Sequence, residues 1–329
     1  MCMYNIYYIY INNMNFYAPN NIPKNINFPD IYFTPDYGFA CEYSDNAKWE
    51  LCKYKDLIYV YLKKPIKYEG VTYYDLITPY GYSGYYYKYE ETYKEFVPIF
   101  RKEAKERNYV TEVLRQNPYL NININGYDII TSKTIYGINL SNLRANDYLK
   151  LTNKTNRRMV NKAIKNNFEF KILEYKNENI NSFKVIYDIT MNNLNSKKYF
   201  FFNENYYNNL NNCFIACIYF DKILSASCII FKYNNLLHYH IGGSLLEYRQ
   251  YGINNFLHYN VMKYGINNGH HLYVLGCGLE QGDSLSKFKK KLSNKEFKYT
   301  IYKNILNQDI YDKLSVNNKN NDFFPAYRC

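Results

Sequence analysis

CFIACIYFDKILSASCIIFKYNNLLHYHIGG, residues 213–243, reads as three strands laid side by side. The segments 213–220, 223–233 and 236–243 are rich in apolar residues. The breaks between them, Asp221-Lys222 and Asn234-Asn235, are two-residue turn signals of the kind that close antiparallel hairpins. The Gly242-Gly243 pair then leads through EYRQYGINNFL (247–257) into a helix beginning near Gly252 and ending at Gly269. HLYVLG (271–276) is the next strand. Three antiparallel strands, a helix and a strand define a mixed α/β unit. The first-turn amides of its helix point at the preceding loop, where they and the helix dipole can hold an anion. Arg249, Gly252, Ile253 and Asn254 are the candidate donor or phosphate-binding residues there.

A related order of elements occurs earlier. VTYYDLITPYGYSG (71–84) is a strand running into a Pro/Gly loop. A helical face of Tyr93, Phe96, Val97, Phe100 and Ala104 follows, interrupted by Pro98, and YVTEVLRQNP (109–118) returns as a strand. Strand, glycine-bearing loop, helix, strand thus appears at 71–117 and at 236–278, read as two related α/β units; one large mixed sheet is the alternative. The expected division is an N-terminal domain over 1–147, a C-terminal domain over 148–312 and a tail over 313–329. Residues 1–30, rich in Asn and Tyr, read as a poorly packed leader. WELCKYKDLIYVYLK (49–63) is a hairpin turning at Lys55-Asp56. A strand is expected near 134–140 and helices over 154–167 and 182–195.

At 329 residues, 47% of them apolar, the chain has ample material for two cores. Its net charge of +12 raises the case for an anionic partner, but 43 Tyr against one Trp betray a bias toward A/T-rich codons that also inflates Lys. The placement of charge therefore matters more than its sum. In KTNRRMVNKAIKNN (154–167), Lys154, Arg157, Arg158, Lys162 and Lys165 share one helical arc, opposite Met159, Val160, Ala163 and Ile164. Such a face meets phosphates, and Arg favours bidentate contact; a plain solvated face is the competing reading. The eight cysteines contain no C-x-x-C, and Cys213 and Cys217 lie too far apart along a strand to share a metal, so reduced thiols in a cytoplasmic protein are expected. His238 and His240 alternate on a strand without a third ligand, and no metal site is assigned. No apolar run approaches the ~18 residues needed to span a bilayer, so membrane contact is expected to be peripheral at most.

Five blocks now fall in register: DLITPYGYSG (75–84), NRRMVNKAIKN (156–166), YDITMNNLNSKKYFFF (187–202), HYHIGGS (238–244) and DSLSKFKKKLS (283–293). Together, from about Tyr32 to Tyr311, they resemble the Fem-type aminoacyl transferases of the GNAT acyltransferase superfamily, whose pyrophosphate loop is similar to Arg249-x-x-Gly252-x-Asn254. The resemblance implies α/β architecture with two tandem GNAT-like domains, mixed sheets flanked by helices, facing across a cleft. It implies an enzyme moving an aminoacyl group from charged tRNA to an amine of a peptidoglycan precursor. An acyl-CoA-dependent N-acyltransferase acting on an amino sugar or peptide is the alternative, and a non-catalytic RNA- or nucleotide-binding protein on the same scaffold is the second. In either enzyme the donor is a substrate, and no bound cofactor and no DNA partner are implied.

By the same resemblance Phe288 and Lys289 line the acyl-transfer site. A fixed ammonium in a dry cleft stabilises the tetrahedral oxyanion formed when an amine attacks an ester or thioester. Arg157, Arg158 and Lys162, with Tyr80 and Tyr82 of the Tyr/Gly loop, are the candidate acceptor- or tRNA-binding residues. The family tends to place an acid or His before the Pro of an R-x-x-P segment; here the residue is Asn117, which cannot take up a proton. Asp283 and His240 are the alternatives for that role, and Asp283 with Ser284 can also cap the short helix presenting Lys289.

Overall fold

The computed structural model describes residues 14–144, 147–149, 152–280, 282–318 and 323–328. Met1–Asn13 of the expected leader, together with Cys2, Gln281 and Cys329, lie outside the described residues. The chain divides into two compact units, Met1–Ser132 with Tyr299–Cys329, and Lys133–Lys298. The divisions thus fall at 132/133 and 298/299 rather than at 147/148 and 312/313. The segment expected to close the C-terminal domain returns instead to the first unit.

In unit 1, β1 (Met14–Tyr17), β2 (Lys48–Tyr54), β3 (Leu57–Tyr68) and β4 (Val71–Ile77) pair antiparallel in order. The short β5 (Gly84–Tyr86) lies beside β3. β1 corrects the picture of a loose leader: Phe16 pairs with Cys52, and Asp30 is fully buried. A helix, α1 (Pro35–Asp45), precedes β2, with Thr34 as N-cap and Pro35 in its first turn. α2 (Glu90–Glu106) runs through Pro98, without the later start that proline invites, and buries Tyr93, Phe96, Phe100 and Ala104. It carries the chain from β4 to β6 (Tyr109–Arg115), which pairs parallel with β4. The later half of β13 (Lys295–Ile305) pairs antiparallel with β6, from Ile301↔Arg115 to Ile305↔Thr111. After α8 (Gln308–Leu314), Arg328 reaches back to Asp75, its Nε donating to Oδ2 at 2.6 Å.

Unit 2 repeats the plan. β9 (Cys213–Phe220), β10 (Ile223–Tyr233) and β11 (Leu236–Ser244) form the antiparallel meander. Their turns carry positive φ at Asp221 (45°), Lys222 (67°) and Asn234 (49°), as tight hairpins require. α6 (Ile253–Asn267) crosses to β12 (Leu272–Gly276), parallel to β11, and β7 (Asp128–Asn139) flanks β12 antiparallel. β8 (Glu169–Glu174) edges the sheet beside β9. α3 (Lys154–Lys165) packs on α6. α4 (Asn177–Asn193), which begins five residues before the expected 182, covers the other face. A Cβ on Gly243 would meet the α4 backbone, 2.7 Å from Ile186 O, so the two approach closely there. Between α4 and β9 lies the one-turn α5 (Glu204–Asn208), and α7 (Ser284–Leu292) follows β12.

Two irregularities shape the unit. The parallel β11–β12 pairing runs only from Leu236↔Leu272 to His238↔Val274, so the strands part beyond that point. The β10–β11 register also slips between Ile229↔Ile241 and Ile230↔Tyr239, making His240 a bulged residue.

Candidate active site

Lys289 is the only lysine of its cluster that turns inward, with 6% of its surface exposed. α7 carries it on the face shared with the buried Ser286 and Leu292. Its Nζ donates to Cys277 O at 2.9 Å and stands 5.5 Å from the centroid of the Tyr239 ring. Burial pushes its ammonium down to about 8, against the opposing influence of Cys277 and Asp283. Lys287, Lys290 and Lys291 differ from Lys289 in that none of them is among the buried charged residues.

Asp283 caps the helix that presents Lys289. Its Oδ1 accepts from Ser286 N at 2.6 Å, and its Oδ2 from Leu279 N at 2.7 Å and Glu280 N at 3.0 Å. Gly278 leaves the space, since a Cβ there would lie 2.2 Å from Asp283 Oδ1. Although burial opposes ionisation, these amides hold the carboxyl below its usual range. A carboxylate with three N–H donors is an anchor for the loop and a poor acceptor for a substrate proton. His240, the other option for a base, is buried against α5, its Nε2 2.6 Å from Tyr206 Oη, and burial pushes it down to about 3.

The surroundings of Lys289 were not singled out in the sequence. His258 of α6 lies 4.9 Å from Tyr239 and 5.8 Å from Phe288, ring to ring, and its Nδ1 is 2.9 Å from Tyr273 Oη. Burial first, then the Lys289 charge, pushes His258 down to about 3, so it is neutral at physiological pH. Phe288 itself packs against the apolar core of the unit. The result is one buried cation set among aromatic side chains, next to the point where the β11–β12 pairing ends.

Farther along β11 lies the loop with Arg249. Its guanidinium donates to Ser244 Oγ at 3.0 Å and to Ser244 O at 3.1 Å, and Asn254 Nδ2 donates to the same hydroxyl at 3.2 Å. Gly252 has φ +82° and opens α6, which no side chain caps. A Cβ at Gly252 would sit 2.4 Å from Met159 O, so glycine is required for the turn and for the approach of α3. Ile253 is fully buried and anchors the first turn. On α3, Lys162 Nζ donates to Gln250 O at 3.0 Å, tying the basic helix to this loop. Lys154, Arg157, Arg158, Lys162 and Lys165 are all exposed along this helix.

Unit 2 therefore brings together the Lys289 group, the Gly252 loop and the basic helix. Tyr80 and Tyr82 belong to unit 1. Tyr37 Oη donates to Tyr80 O at 2.6 Å, and the Tyr82 ring makes edge contacts with Tyr32, Tyr119 and Tyr299 at 5.6, 6.4 and 5.2 Å. Asn117 is buried among them, its Nδ2 donating to Asp30 Oδ2 at 3.1 Å. A carboxylate thus adjoins Asn117, delivered by a residue 87 positions away that no spacing in the sequence could reveal.

Meander, crossover helix, parted strands and uncapped helix start lie in a part of unit 2 that is similar to an acyltransferase domain of GNAT type. Residues 192–290 match the sequence profile described as an acetyltransferase (GNAT) domain. Among solved structures the chain is similar to FemX, with TM-score 0.65, 14% identity, and coverage of 95% of this chain and 98% of that one. It is similar to the C-terminal domain (DUF2156) of a protein assigned as a lysylphosphatidylglycerol synthetase from Agrobacterium fabrum (TM-score 0.58, 11% identity, 84% and 88% covered). A third similar structure is L-PGS from Bacillus licheniformis (TM-score 0.56, 14% identity, 80% and 86% covered). At such identities these likenesses speak for the fold. No curated protein sequence matches the chain.

Proposed function

We propose that the protein transfers an aminoacyl group from charged tRNA to an amine of a peptidoglycan precursor in the cytoplasm. The observation that carries this reading is the buried Lys289 ammonium beside the Tyr239 ring, on the motif that resembles the Fem-type site. The acceptor amine attacks the ester carbonyl and a C–N bond forms. Lys289 stabilises the oxyanion, the ester C–O bond breaks, and the tRNA hydroxyl leaves with the proton the amine gives up. The exposed basic face of α3, bound to the Gly252 loop through Lys162, supports a polyphosphate donor. The buried free thiols Cys41, Cys52, Cys217 and Cys228 support a reducing compartment.

A second reading has its own support. The uncapped first turn of α6 suits a pyrophosphate, and it lies beyond Ser244, the last residue of β11. From Tyr239 to Ser244 is about 16 Å of strand, a span an extended pantetheine arm can cover. An acyl-CoA donor fits that spacing.

Purified protein is offered labelled acyl-CoA and labelled charged tRNA separately, each with cell-wall precursor and, because one similar structure bears the lysylphosphatidylglycerol synthetase name, with phosphatidylglycerol vesicles. Label passing from tRNA to the precursor is the expected result. Label from acyl-CoA alone overturns the donor, label in the vesicles overturns the acceptor, and no transfer from either donor overturns the reading.

A further inference from the structure

Four rotatable bonds separate Lys289 Nζ from its backbone, so an ammonium held at one point needs more than one contact. Cys277 O fixes one N–H direction, at 2.9 Å. The Tyr239 ring provides the second contact, its centroid 5.5 Å away. Tyr239 sits where the strands part: His238 before it is the last residue of β11 paired with β12, and His240 after it is bulged. A bulge re-aims the neighbouring side chain. Where a Cβ on Gly242 would stand, the Tyr239 hydroxyl lies only 2.4 Å away, so glycine makes room for it. The ring also meets His258, centroid to centroid at 4.9 Å, and His258 is tied to Tyr273 at 2.9 Å.

We infer that Tyr239 is a positioning residue of the acyl-transfer site: its ring carries the Lys289 ammonium where β11 and β12 part, and Gly242 with the His258–Tyr273 pair holds that ring in place. The inference rests on the role proposed for Lys289. The groups facing Lys289 are Tyr239 from β11, His258 from α6, and Cys277 and Asp283 from the segment before α7. His258 is neutral and leaves the ammonium to the ring. The negative face of an aromatic ring favours the charged amine. Loss of the ring therefore lowers the pH at which Lys289 gives up its proton and frees the side chain.

The test uses full-length Tyr239→Phe, Tyr239→Leu, Tyr239→Met and Gly242→Ala, each checked for an intact melting transition. The first readout is the pH profile of Lys289 acetylation by acetic anhydride, followed by peptide mass spectrometry, which needs neither donor nor acceptor. The second is transfer rate against pH. Tyr239→Phe is expected to keep the Lys289 midpoint and to transfer within about threefold of the parent. Tyr239→Leu and Tyr239→Met are expected to lower the midpoint and to slow transfer roughly tenfold. Gly242→Ala should follow them, because it displaces the ring. Wild-type midpoint and rate in the folded Leu and Met variants overturn the inference. So does a Phe variant as impaired as Leu, which assigns the role to the hydroxyl. If the parent transfers from no donor while the labelling midpoints move as expected, the proposed function fails and the positioning role stands.

Discussion

A buried ammonium with one carbonyl and one ring for partners weakens the fold that holds it. For Lys289 the direction is set by its shift from 10.5 to about 8. Between those values the unfolded chain binds the proton and the folded chain does not. The penalty is therefore full below about pH 8 and fades as pH rises toward 10.5. Lys289→Met at pH 7 is expected to be more stable than the parent by on the order of 1–3 kcal/mol, read as a higher denaturation midpoint. Its transfer rate is expected to fall roughly 100- to 1000-fold, with donor affinity within a few-fold; an unchanged rate removes the residue from the mechanism. Sequence reasoning reached Lys289 through a family resemblance in its block. It did not reach Tyr239, His258 or Tyr273. Among 43 tyrosines no spacing marks one, and the Tyr239–Lys289 contact spans fifty positions that only the fold closes.

At the level of elements, β9 to β12 were readable because apolar runs alternate with Asp-Lys and Asn-Asn turns whose residues accept positive φ. β1 and α1 were not. Their sequences, MNFY and PDYGFACEYSD, carry little periodic signal, and their stability comes from pairing with β2 and from capping by Thr34. The turn into α6 has the least tolerance. Gly252→Ala adds a strained φ and a Cβ against Met159 O, and is expected to cost about 2–4 kcal/mol, measured by chemical denaturation. α3 fails differently. Arg157→Glu with Arg158→Glu leaves exposed positions folded, but is expected to weaken binding of a polyphosphate donor and to flatten its salt dependence by about two phosphate contacts' worth. Binding titrations at two ionic strengths check this. A salt slope equal to the parent's returns α3 to the role of a solvated face.

For the molecule as a whole, acid acts on unit 2 through histidine. His240 and His258 are each pushed from 6.5 down to about 3 by burial. Over that interval the unfolded chain binds protons the folded one refuses, so stability rises with pH and falls on acidification. The loss is up to about 1.4 kcal/mol per pH unit for each histidine. Hydrogen exchange of unit 2 peptides between pH 7 and 4 is expected to show this loss. The fluorescence of Trp49, the only tryptophan, reports on unit 1 alone. If unit 2 exchange is indifferent to pH in that window, the two histidines are not held neutral by the fold. The organisation into two similar halves was legible, since both carry the same run of strand, loop, helix and strand. The return of the chain to unit 1 was not, because β13 finds β6 across nearly two hundred residues.

That return has a consequence for how the protein is made. A ribosome delivers every residue of unit 2 by Lys298, while unit 1 still lacks the strand that pairs with β6 and the Tyr327 and Arg328 side chains that reach Asp75. The half translated first is thus the half completed last. Until Tyr299 and the residues after it emerge, a nascent chain carries one unit with all its residues and another with an open β6 edge, the arrangement in which a newborn sheet most needs shielding from its neighbours.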